Sequence, residues 1–223
     1  MPSKHSFASK RRSSKKYKQA PSIGRKSQYR RFSGLRHGET LSRSFDFIPH
    51  ESLPPVNSNG KPVLIENRPH KDTFFPVNGR EVMHRISKVP EEDVKGITHI
   101  WLRRTGPKED RGLGTYSYGP SYAVIILYPW PTSLRLQIGH SKPDATWRWI
   151  ARNFNCQLVQ KSREWFAEFT LSGARNFILN DLIFHEIGHH VDPRRFSSTH
   201  KNWKAGEEYA NQYALRLSRL LSS

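Results

Sequence analysis

Cysteine is almost absent from this chain of 223 residues: Cys156 stands alone. That excludes an intramolecular disulfide and any cysteine cage for zinc, and it fits a reducing compartment. Long apolar runs are missing too. The longest, "YAVIILYPW" at 122–130, is less than half of the ~20 residues that a membrane-spanning helix needs. No apolar stretch near the N-terminus has the shape of a secretory signal. The chain therefore reads as soluble and cytoplasmic, with no membrane partner. Acids are scarce at one end only. Residues 1–44 hold 13 Lys and Arg against the single acid Glu39, while the rest of the chain holds 24 against 18.

Two thirds of the net charge of +18 thus sits in one fifth of the length. This segment is rich in Ser, Lys and Arg, and its scattered apolar residues are too few to offset the entropy of ordering it. Residues 1–44 read as a disordered basic arm. Runs such as "KRRSSKKYK" and "RKSQYRR", interleaved with Tyr17 and Tyr29, have the electrostatics of a nucleic-acid tether. Its binding would be sensitive to salt and indifferent to sequence. An organelle transit peptide is the weaker reading, because an amphipathic apolar stripe is missing.

Residues 45–90 are rich in Pro, Asn and Gly and read as a linker or partly ordered extension, so a folded domain is expected over 91–223. Its alternating "GITHIWLRR" at 96–104 predicts a half-buried strand. "TYSYGPSYAVIILYPWP" predicts one or two strands divided at Gly119 and Pro120, with the continuous "AVIIL" suited to a central strand covered on both faces. A short strand follows at 134–139. "SKPDATWRWIARNFN" carries an N-cap in Asp144 or Ser141, with Trp147, Ile150 and Phe154 at helical spacing. "EWFAEFTL" at 164–171 alternates as an edge strand does. A longer helix runs from about Ala174 to Val191, stopped by "DP" at Asp192 and Pro193. The last helix runs from about Asn202 to Leu221, with Tyr209, Tyr213 and Leu217 on one stripe. Strands, helix, strand and two helices make an α+β domain.

The chemistry is concentrated in "FHEIGHHVDPRR" at 184–195. His185 and His189 are four residues apart, so on a helix both imidazoles leave one face and can share a cation. Glu186 is turned by about 100° from His185 and stands beside such an ion, where a general base belongs. A zinc ion there would acidify a water to a pKa of ~7. Five residues of this type recur by chance in a histidine-rich chain, so context carries the reading. The pattern lies inside the apolar helix "NFILNDLIFHEIGHHV", where an uncompensated His and Glu set would be costly to bury. A catalytic zinc needs a third protein ligand. Position 195 is Arg rather than His, and position 192 is Asp rather than Gly, so the metzincin pattern is absent. The open candidates are Glu207, Glu208, His200 and Asp192.

"HEIGH" followed by "EEYANQYALRL" resembles the gluzincin pattern, and is most similar to the small ImmA/IrrE-type metallopeptidases. The resemblance covers about residues 174–221. It implies a minimal zincin domain with a small mixed β-sheet, a HExxH helix and a C-terminal glutamate helix. It also implies a Zn2+ cofactor and a protein or peptide substrate. His185 and His189 then match the ligand histidines, Glu186 the general base and Glu207 the third ligand. Asn211 would hydrogen-bond the far nitrogen of a ligand histidine, and Ala210 is the small residue that lets the helices approach. Glu208 and Tyr209 depart from the family's pattern, which leaves a register with Glu208 as ligand. His200 is the other rival, since SprT-like proteases use a third downstream histidine and act on proteins bound to DNA. In the family the edge strand beside the metal binds extended peptide, a role that falls to 164–171 on this reading. The function implied is a zinc-dependent endopeptidase. The alternative is a nucleic-acid-associated protein, either SprT-like and tethered to DNA or a binding module of zincin fold without turnover. His190, Asp192 and Asp181 read as polar groups of the helix, while Tyr209, Tyr213 and His200 are possible donors to an oxyanion.

Overall fold

The computed structural model describes residues 53–105, 112–194 and 200–221, with side chains from 204 onward in the last of these. The basic arm at 1–44 lies outside the described residues. The chain is a mixed α+β fold of several helices and small sheets. No described helix is long and apolar enough to cross a membrane.

The sheet that positions the site has four strands in the order β1-β3-β5-β4, formed by Val63–Glu66, His99–Leu102, Tyr122–Leu127 and Gly114–Gly119. β1 and β3 pair in parallel, as do β3 and β5, while β4 and β5 form an antiparallel hairpin that turns at Pro120 and Ser121. "AVIIL" is buried along its whole length. Ile125 and Leu127 enter the main core; Val124 and Ile126 enter a second cluster with Tyr128, Trp101 and Leu53 on the opposite face. The expected doubly covered strand is present.

The stretch at 45–90 supplies more than a linker. β1 lies in it, as do a short β2, Thr73–Phe74, which pairs with β6, Trp130–Pro131, and α1, Gly79–Ile86. The helix starts at a capping box: Asn78 accepts from Glu81 N at 3.0 Å, and the Glu81 side chain accepts from Asn78 N at 2.9 Å. A single turn, α2, Glu91–Val94, leads into β3.

A second sheet has three antiparallel strands in the order β7-β9-β8, formed by Arg135–Gly139, Glu164–Phe169 and Cys156–Lys161. Here the structure corrects the sequence: β9, expected at an edge, is the central strand, paired with β7 on one side and β8 on the other. Alternation records how many faces a strand buries, not how many neighbours it has. The helix α3, Ala145–Asn153, is capped by Asp144, which accepts from Trp147 N at 2.9 Å. Its Trp147 and Ile150, and Phe154 just beyond, are buried. Trp130 packs edge-on against Phe169 and Phe177, and Phe154 against Phe177, so one aromatic core joins this sheet to the helices.

The long helix is not continuous. It starts earlier than about Ala174: Thr170 caps it by accepting from Gly173 N at 3.0 Å. α4, Leu171–Phe177, passes into a π-helical turn, Ile178–Leu182, and then into α5, Ile183–Val191. The last helix, α6, covers His200–Leu220.

Candidate metal centre

The helices α5 and α6 touch along one line. A Cβ on Gly188 would lie 2.7 Å from Ala210 Cα, so glycine is the residue that lets the backbones meet. Glu207, Ala210 and Asn211 stand at i, i+3 and i+4, one face of α6. Tyr213, Ala214 and Leu217 carry that face into the core. The contact sets Glu207 opposite His185 and His189.

Three side chains converge there. The Nε2 atoms of His185 and His189 are 3.1 Å apart, and each is near a different oxygen of Glu207, at 3.5 Å and 3.2 Å. Among the described residues this is the group of three whose donor atoms lie within 4.8 Å of one another. Zinc bonds of 2.0–2.1 Å in a tetrahedron place ligand atoms roughly 3.3–3.4 Å apart, and the observed spacings bracket that value. The set of two imidazoles and one carboxylate also suits zinc chemically. His185 Nδ1 lies 2.9 Å from Asn211 Oδ1. The amide oxygen can only accept, so Nδ1 carries the proton and Nε2 is left as the ligating atom. Burial pushes the Glu207 carboxyl up, yet the adjacent His185 and His189 outweigh it and hold the group well below the usual carboxylate range.

No family model, no curated protein and no solved structure matches this chain. The geometry must carry the assignment.

Glu186 is buried and outside the converging set. It faces the start of β4: a Cβ on Gly114 would lie 2.9 Å from Glu186 Oε1 and 3.0 Å from Leu182 Cδ1. Among the described residues, β4 is the terminal strand of its sheet. The strand beside Glu186 is therefore β4, while β9 within 164–171 lies in the middle of the other sheet. Sequence reading missed the role of Gly114, and only its position at a strand start could have suggested a close approach.

The other candidates have different surroundings. Glu208 is exposed on α6 and outside the cluster. The His200 side chain lies outside the described residues. Asp192, buried, accepts from the backbone N, Nε and Nη2 of Arg194 at 2.9, 2.9 and 3.2 Å, and Arg194 also donates to Ala205 O. Burial raises the Asp192 carboxyl, but Arg194 holds it below its ordinary value. Through Arg194 and Ala205 O, this pair ties the end of α5 to α6. Asp181 is half-buried in the π-turn. Tyr213 donates its hydroxyl to Asp93 at 2.8 Å, and burial with that bond pushes its pKa up. It ties α6 to α2 rather than facing the cluster. Tyr209 lies under the Arg194 guanidinium at 5.5 Å.

The third histidine of the run has a partner that the sequence did not suggest. His190 Nε2 lies 2.9 Å from Lys95 O, a pure acceptor, so Nε2 donates and Nδ1 accepts from the Tyr116 hydroxyl at 2.9 Å. Adjacent residues of one helix thus divide the work. His189 turns to the cluster, and His190 fastens α5 to β4 and to the loop ahead of β3.

Proposed function

We propose that the chain is a zinc-dependent endopeptidase with a minimal zincin domain. The observation that carries this reading is the convergence of His185, His189 and Glu207 at tetrahedral spacing while Glu186, next in sequence, stays outside the set. A zinc ion held by the three residues supplies Lewis acidity to a peptide carbonyl and acidifies a water.

The chain's own groups do the rest. Asn211 fixes the ring of His185 through Nδ1–H. Glu207 brings one negative charge to the site. Glu186 takes a proton from the water as its oxygen bonds to the carbonyl carbon. It passes that proton to the departing nitrogen as the C–N bond breaks; the second water proton stays on the new carboxyl group, so the products are a carboxylic acid, which then ionises to solvent, and a free amine. β4, whose backbone passes Glu186, is the strand against which an extended substrate would lie. The nucleic-acid-associated alternative rests on the basic residues 1–44 and on His200, whose side chain is outside the described residues. Among the described residues, Glu207 is the group that joins His185 and His189 in the cluster.

The test is hydrolysis of a mixed peptide library by zinc-loaded protein, with products mapped by mass spectrometry. Cleavage by the wild type and its loss in Glu186→Gln with zinc retained is the expected pair. Equal cleavage by both would remove Glu186 from the reaction, and no cleavage by either would favour a module without turnover.

A further inference from the structure

The π-turn at Ile178–Leu182 stands immediately before the two histidines. Ile183 N–H donates to Ile178 O, five residues back. The donor that Leu179 O would have in an α-helix is therefore used elsewhere. Inserting one residue into a helix turns everything beyond it by about 100° relative to what comes before. The apolar line shows this shift. Phe177 and Ile178 are followed in the core by Leu182 and Ile183, a step of five, and then by Ile187. An uninterrupted helix would have put Asp181 on the Phe177 line.

The Leu179 carbonyl has a partner from another element. Arg85, near the end of α1, donates from Nε to Leu179 O at 3.3 Å and from Nη2 to Asn180 Oδ1, and its guanidinium lies 4.8 Å over the Phe184 ring. One turn earlier on α1, Glu81 pairs with Arg175 of α4. α1 therefore holds the segment before the π-turn, within it and after it.

From this we infer that α1 is a splint across the π-turn, and that Arg85 is a positioning residue setting the rotation at which His185, Glu186 and His189 are presented to Glu207. The idea rests on the metal-centre reading for its consequence but not for its geometry. The planar fork matters: it reaches a backbone carbonyl and a side-chain amide at once, which an ammonium cannot do. With the fork removed, the cheapest relaxation is an α-helical turn in place of the π-turn. That rotates the histidines away from α6.

The experiment compares the full chain with Arg85→Met, Arg85→Lys and, as a control on the exposed side of α1, Arg80→Met. Hydrogen exchange in metal-free protein reads the turn, and Co2+ titration followed by visible absorption reads the site. In both Arg85 variants the amides of Leu182 and Ile183 should exchange faster while those of Ala167 and Phe169 keep their wild-type rates. Co2+ should bind roughly 10–100-fold more weakly, with a shifted absorption band that a loss of global stability would not produce. Arg80→Met should match the wild type. Should Arg85→Met fail to fold, Arg85→Lys decides. Wild-type exchange at 182 and 183 in a folded Arg85 variant overturns the splint. A wild type that takes up no Co2+ overturns the metal-centre reading, and the exchange rates still judge the role of α1.

Discussion

The two halves of the molecule treat polarity in opposite ways. The four-stranded sheet and α5 with its C-cap contain all the buried polar side chains found among the described residues: His99, Ser117, His185, Glu186, His190 and Asp192. The three-stranded sheet buries none. Its charges, Arg135, Lys161 and Glu168, pair on the solvent face, and its inner face is Leu136, Ile138, Ala167 and Phe169. Cys156 belongs to that inner face as well, its thiol pushed up to about 12, first by burial and then by Glu168. Buried polar groups destabilise a fold unless each is partnered. One half thus supplies stability through apolar packing, and the other holds a polar arrangement that packing alone would not select.

That contrast can be broken experimentally, because it predicts which variants separate activity from stability. Glu186→Gln keeps size and shape but cannot exchange a proton. Peptide hydrolysis should fall about 10²–10⁴-fold, with the thermal midpoint of the metal-free protein near that of the wild type by calorimetry. Phe169→Ala does the reverse. Removing a ring that packs on Trp130 and Phe177 should lower stability by about 3–5 kcal/mol in urea titration, with zinc content per folded chain unaltered. Gly188→Ala joins the two properties, since the new methyl collides with Ala210. It should cost about 1–3 kcal/mol and weaken metal binding together, and either effect without the other would argue against the helix contact as the device that forms the site.

A smaller effect concerns acid. A carboxyl held below its ordinary pKa of about 4 stabilises the fold above that value. It ceases to do so as the pH falls through its lowered value. Asp192, held low by Arg194 against the effect of burial, should contribute in this sense. Asp192→Asn should flatten the acid limb of stability below about pH 4 and leave the neutral region little dependent on pH. A steeper acid limb in the variant would contradict the assignment.

Much of the site could be read from residue spacing, because helices convert spacing into facing directly. His185 and His189 at i, i+4, and Glu207, Ala210 and Asn211 at i, i+3, i+4, come together as the patterns suggest. The central strand at 122–127, the hairpin before it and α3 with its Asp144 cap were equally legible. Other features had weaker local signals. β1 is four residues between prolines and hides in a segment that reads as linker. The capping box of Asn78 and Glu81 at the start of α1 went unread within the same segment. β8, "CQLVQK", has no clean alternation of polar and apolar residues. The π-turn has no residue signature, and only the five-residue step in the apolar line betrays it. Edge and centre of a sheet were confused at β9 because neighbours come from distant sequence. For the same reason Gly114, Tyr116 and Arg85, which act on the site from other elements, could not be found from the motif.

Zinc content is the most direct test of the central claim. Elemental analysis of purified wild type, Glu207→Ala, Glu208→Ala and His200→Ala should give one zinc per chain in the wild type. The metal should be lost with Glu207→Ala and kept in the other two. Metal lost with His200→Ala and kept with Glu207→Ala would contradict the account and transfer the third ligand to the histidine. A wild type without metal would leave the His185, His189 and Glu207 cluster as a polar contact between two helices.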